Sequence, residues 1–208
     1  MSKLLVDEIL YEIDWRTKEI SIIRTVPYLH RLTLEQKNTL EKYSVLSFYA
    51  LWEGFVTMAF NVYVREINKI GLSADTISIN LLMHDVDCKF KLSNARANID
   101  TKLSFVSEIY RYFSSPINVS STIPTESNVN FKVINNILFR HNLRLMQEKP
   151  FKKLLNKLIL IRNSIAHGET SIPIDDKLLF ELSSTTISAI HEVGEIIIEG
   201  YNNNVFLK

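Results

Sequence analysis

Apolar residues recur at the helical spacing through most of the chain, and alternation with a period of two is nowhere sustained. In residues 3–26, Leu4, Leu5, Ile9, Ile13, Ile20 and Ile23 recur near the 3.6-residue period, and Pro27 ends the segment. The next segment opens on "TLEQ", in which Thr33 can cap backbone N–H groups while Gln36 reaches back, a capping box. One long helix is expected from there to about Ile70, stopped by Gly71. Its middle, "LSFYALWEGFV", is apolar on most sides, as in a central helix packed all round. Gly54 interrupts that stretch at a cost of about 1 kcal/mol relative to Ala, so a close helix crossing is expected there.

Periodicity weakens over 74–113, which reads as two helices broken near "KLSNARANIDTKL". "SSPINVSSTIPTESNVN" is the longest loop signal, dense in Ser, Thr, Asn and Pro. A short helix follows at about 131–140. The next, over 150–167, has Pro150 suited to its first turn and Gly168 to the position past its end. A last helix after Pro173 runs from about Asp176 to Tyr201. The expected fold class is all-α: one helical bundle domain over residues 1–208, with about 71–130 an insertion between the long central helix and the helix that ends near residue 167.

Composition narrows this little further. With 208 residues, 46% hydrophobic, and only five Gly and five Pro, the chain can bury a sizeable core. One cysteine, Cys88, excludes an intrachain disulfide, and "MSKLLVDEILYEID" brings in acids too early for a signal peptide. Unbroken apolar runs such as Leu158–Ile161 fall far short of the roughly 20 residues that span a bilayer. A soluble, cytoplasmic protein is expected.

A net charge of +1 gives no global attraction to a polyanion, so such binding must come from local segregation of charge. From Arg140 to Arg162 there are seven basic residues and one acid, Glu148; from Asn163 onward there are two lysines and seven acids. The boundary falls inside "LILIRNSIAHGET". On the helix that carries it, Phe151, Leu154, Leu155, Leu158, Ile161 and Ile165 form a broad apolar face from whose middle Arg162 projects. His167 shares the opposite side with Lys149, Lys153, Asn156 and Asn163, about 140° away at 100° per residue. Two routes bring Arg162 and His167 onto one phosphate. Gly168 can let the helix end unwind, or a second copy related by a two-fold axis can supply the missing group. Leu160, apolar on the polar side, slightly favours the second.

"RNSIAHG" resembles the motif of HEPN-domain ribonucleases, an arginine followed after four to six residues by a histidine. "FYALWEGFV", "IPTESNVNFKVINNILF" and "LLNKLILIRNSIAHGE" resemble one subgroup, the MAE_28990/MAE_18760-like HEPN proteins, over about residues 5–200. The resemblance implies a HEPN-like helical bundle, usually a homodimer, that cleaves RNA without metal or other cofactor. It also implies a setting in toxin–antitoxin systems or antiviral defence, with an antitoxin or defence-system protein as partner. By position, Arg162 and His167 are the catalytic pair and Asn163 the polar neighbour. Glu169 stands where one branch carries a tyrosine modified by a partner nucleotidyltransferase, so that control is not expected. RNA cleavage needs a base for the 2′-hydroxyl, an acid for the departing 5′-oxygen and positive charge at the phosphorane, which histidine and arginine supply. Lys149, Lys152, Lys153 and Lys157 are candidate contacts to an RNA backbone. The alternative is a catalytically inactive HEPN module that binds RNA or a protein.

The spacing itself is weak, because Arg24 and His30 also satisfy it across Pro27. In the bland readings His167 caps a helix end, Arg162 pairs with a buried acid such as Glu53, and the lysines are a solvated face. "HDVDC" places His84 and Cys88 four apart, too few ligands for a metal site. Glu192, Glu195 and Glu199 read as an exposed acidic face.

Overall fold

The computed structural model describes residues 3–29, 31–90, 99–169 and 173–208. Seven α-helices, one 3-10 turn and no strand lie among them: α1 Lys3–Thr25, α2 Leu34–Asn68, α3 Ile79–Lys89, α4 Ile99–Phe113, α5 Phe131–Arg140, α6 Glu148–Ala166 and α7 Asp176–Asn202. The protein is all-α, as the helical spacing predicts. Of the stretch 91–103 near which a break is expected, residues 91–98 lie outside the described residues, and α4 already occupies 99–103.

Local chemistry sets several helix ends. Thr33 and Gln36 form the expected box, with Gln36 N–H donating to Thr33 Oγ1 at 3.2 Å and Thr33 N–H to Gln36 Oε1 at 2.9 Å. Asn130 caps α5 through the Val133 amide and Asp175 caps α7 through that of Leu178. α2 is the axis of the bundle, with α1, α6 and α7 packed around it. Phe48, Trp52, Phe55, Phe60 and Tyr63 of α2 are fully or almost fully buried there. By length and composition alone α2 is apolar enough to cross a membrane, which the short unbroken runs do not suggest; half of that stretch is buried by the bundle.

The tight crossing lies elsewhere than expected. A Cβ on Gly54 would come no closer than 3.7 Å to Arg16 Nη2, an ordinary contact. One on Gly194 of α7 would fall 2.5 Å from Ile13 Cδ1 and 3.3 Å from Ile9 Cγ2, both on α1. Gly194, not Gly54, is where two helices approach. Gly54→Ala should therefore gain about 1 kcal/mol of helix propensity, whereas Gly194→Ala should lose roughly 1–3 kcal/mol to overpacking; urea unfolding of the two variants checks both signs.

Residues 114–130 are loop, as their composition predicts, but the loop is pinned. Ile117 N–H donates to Leu72 O at 2.7 Å, and the Asn68 side chain pairs with both backbone groups of Val119. Further on, Trp52 Nε1–H donates to Val129 O at 2.8 Å. Ile117, Val119 and Val129 are buried. The segment is a strap that returns along α2 from its carboxyl end to Tyr49.

Folding also rearranges the charge blocks. Arg144 pairs with Glu192 at 2.7 Å and Glu199 at 3.1 Å, Arg140 with Asp87 at 2.9 Å, and Lys152 with Glu148 at 2.7 Å. The acids of α7 are therefore not simply an exposed face, because the turn after α5 brings a basic residue against two of them. Of the seven basic residues, Lys149, Lys153, Lys157 and Arg162 have no acidic partner among the described residues.

Candidate active site

α6 ends in a Schellman turn. Gly168 N–H donates to Ile165 O at 3.0 Å and Glu169 N–H to Ser164 O at 2.9 Å, with Gly168 at φ 76°. Glycine tolerates that left-handed geometry without a Cβ penalty. Because the chain reverses at Gly168, His167 keeps φ −88° and ψ 5°, and its amide still bonds Asn163 O at 3.0 Å. The helix does not unwind ahead of the histidine. That removes the first of the two routes by which Arg162 and His167 could meet.

Phe151, Leu155, Leu158 and Ile161 are buried, with Leu154 and Ile165 packed against them. Arg162 is half-buried among these residues, while His167 and Leu160 are exposed, Leu160 by 61%. No hydrogen bond joins Arg162 to His167, and the His167 ring has no partner among the described residues. Lys149 and Lys153 are exposed and Lys157 partly so.

The Arg162 guanidinium lies over the Tyr49 ring, 4.6 Å from its centroid, and Nη1 donates to Asn163 Oδ1 at 2.8 Å. Asn163 Nδ2 in turn donates to Asn128 Oδ1 of the strap at 3.2 Å. The ion pair to Glu53 does not form. Glu53 sits one turn along α2, near the Tyr49 phenol. The Tyr49 hydroxyl donates to Ser127 O at 3.1 Å and accepts from Val129 N–H at 3.2 Å. Burial above all, with Glu53 adding to it, pushes the Tyr49 phenol up to about 12, so it is neutral at physiological pH. Sequence reasoning missed Tyr49 and Asn128. They join Arg162 and Asn163 only through contacts more than thirty residues away in the chain.

The other candidates are committed elsewhere. Cys88 Sγ lies 3.9 Å from His84 Nε2, but Asp85 is taken by Lys89, the Ser120 amide and the Tyr112 hydroxyl, and Asp87 by Arg140. No group of three or more metal-ligating side chains occurs among the described residues. Arg24 of the second arginine–histidine match lies over Phe180 at 5.0 Å, and His30 is outside the described residues. A groove of about 770 Å³ adjoins Glu53, but its other acids, Glu8 and Glu12, are paired with Arg65 and Arg16.

A family model for MAE_28990-like HEPN domains matches residues 5–206, nearly the whole chain. The chain belongs to this HEPN family. No curated protein and no solved structure matches it. HEPN domains are generally nucleases or RNA-binding modules of defence systems, and they often act on RNA as homodimers. In this HEPN chain Arg162 of α6 lies on the inner side of the bundle and His167, just past the helix end, on the outer. Arg162 can offer a fixed positive charge and planar N–H donors to phosphate oxygens. His167 can exchange a proton with solvent-exposed substrate.

Proposed function

We propose that the protein is a metal-independent endoribonuclease of the toxin–antitoxin or antiviral-defence type, working as a homodimer with Arg162 and His167 at a composite site. One observation carries this reading: Arg162 is half-buried with no acidic partner among the described residues, its guanidinium fixed by a ring and one amide. Arg16, Arg65, Arg140 and Arg144, by contrast, each carry a carboxylate. An arginine held but not neutralised is suited to an anion that comes and goes.

In the reaction, a neutral His167 takes the proton of the 2′-hydroxyl and the 2′-oxygen attacks phosphorus. The bond to the 5′-oxygen breaks as the same histidine, now protonated, gives that proton to the departing oxygen. Arg162 stabilises the charge that builds on the non-bridging oxygens. The products are a 2′,3′-cyclic phosphate and a 5′-hydroxyl. Asn163 orients Arg162, and Lys149, Lys153 and Lys157 hold the backbone of the RNA in a salt-sensitive way.

A catalytically inactive module that binds RNA or a partner protein is the second reading, and the separation of Arg162 from His167 within one chain favours it. Purified protein with total RNA decides between them. Wild type should cleave in the presence of EDTA and leave cyclic phosphate ends, and Arg162→Ala and His167→Ala should each lose at least about 100-fold. No cleavage by wild type, or cleavage by both variants equal to that of wild type, overturns the enzyme reading.

A further inference from the structure

We propose that Tyr49 is a positioning residue for Arg162, a fixed aromatic platform whose own pose is set by the strap segment 125–130. This rests on the ribonuclease reading above and goes beyond the motif itself, since Tyr49 lies on another helix. An arginine side chain is rich in rotamers, and with no carboxylate among the described residues to hold it the Arg162 guanidinium is placed by the Tyr49 ring at 4.6 Å and Asn163 at 2.8 Å. A ring attracts the cation without cancelling its charge. It covers one face of the guanidinium and leaves the planar N–H edge for phosphate oxygens.

The platform is immobilised. Tyr49 is 2% exposed, and its hydroxyl is held by Ser127 O and the Val129 amide. The same strap holds the other contact, through Asn128 to Asn163. Both supports of Arg162 thus trace to one turn, closed by Asn128 N–H to Thr125 O at 2.9 Å. Its central residues, Glu126 at φ 53° and Ser127 at φ 54°, occupy the left-handed region without being glycine. Such a conformation persists only where surrounding contacts over-determine it.

The test compares steady-state cleavage of one RNA by wild type, Tyr49→Phe, Tyr49→Leu, Arg162→Ala and the double variant Tyr49→Leu/Arg162→Ala, with a thermal melt of each. Tyr49→Leu should lower kcat by at least about tenfold, because a misplaced catalytic group is expensive in rate, while KM stays within about threefold because the lysines still bind. Tyr49→Phe keeps the ring but loses the hydroxyl that the strap holds, so its kcat should fall between those of wild type and Tyr49→Leu. The double variant should be no slower than Arg162→Ala, since the platform acts only through the arginine. Should Tyr49→Leu not fold, 15N relaxation of the Arg162 Nε–H in the wild type decides: it should be as rigid as the backbone, with an order parameter near about 0.85, and a value under about 0.6 overturns the proposal. Full kcat in Tyr49→Leu with Arg162→Ala inactive overturns the platform alone, and so does a double variant slower than Arg162→Ala. Full activity in Arg162→Ala overturns the ribonuclease reading beneath it.

Discussion

Mixing Arg162→Ala subunits with His167→Ala subunits should restore RNA cleavage that neither variant shows alone. His167 is placed by the last regular turn of α6, because the reversal waits until Gly168. The two side chains therefore keep the divergence of about 140° set by an ideal helix. One chain cannot easily aim both at one phosphate; two chains about a two-fold axis can. A homodimer of Arg162→Ala has no arginine at the site and one of His167→Ala has no histidine. The mixed dimer keeps one of each, contributed by different chains. Cleavage by refolded mixtures should exceed the summed activity of the two variants by at least about tenfold, given losses of about 100-fold or more for each group. Mixed dimers confirmed by native mass spectrometry that stay as inactive as their parents would show that the arginine and histidine must come from the same chain. A wild-type protein that remains monomeric while it cleaves would overturn the composite site altogether.

The second large effect is acid lability. His141, at the end of α5, is fully buried against Phe60, with the His84 ring tilted against it 4.7 Å away. Its Nδ1–H donates to Ile137 O at 2.7 Å, while Nε2 has no partner. Burial pushes its pKa down to about 3, with the nearby His84 and Arg140 working in the same direction against the Ile137 bond. Burial also lowers His84, although the Ser120 carbonyl opposes it. In the unfolded chain each would titrate near 6.5, so below that pH the unfolded state binds protons the native state refuses. Stability is thus full above about pH 6.5, and His141 removes about 1.4 kcal/mol per pH unit as the pH falls from there toward about 3. Urea unfolding at pH 6.5 and 4.5 should show wild type losing about 2 kcal/mol more than His141→Phe across that interval. The variant keeps an aromatic ring beside Phe60 but has nothing to protonate. Equal losses in the two proteins would sink this account.

What the sequence made legible is what short-range physics controls. The box at Thr33 and Gln36, the start of α5 at Phe131 and the glycine turn at Gly168 each depend on groups within a few residues, and each stands where the pattern places it. Arg162 was legible as the odd polar residue on an apolar face. Its support was not, because Tyr49 in "FYALW" looks like any core aromatic until the bundle brings α2 beneath α6. The same holds for Arg144. Counting charges along the chain separates it from Glu192 and Glu199, which folding places beside it. Gly54 drew attention by its apolar surroundings, yet the helix that needs a glycine is α7, and only the approach of Ile13 reveals it.

The strap has an optical consequence. The chain holds two tryptophans: Trp15 is 37% exposed, whereas Trp52 is fully buried with its indole N–H donating to Val129 O. Val129 belongs to the segment that clamps Tyr49, so Trp52 fluorescence is an intrinsic reporter of whether that clamp is seated. An aqueous quencher such as iodide silences Trp15 and leaves a blue-shifted Trp52 signal. Any ligand, partner or substitution that lifts the strap from α2 would then be read as a shift to the red, in an unlabelled protein and without an assay for cleavage.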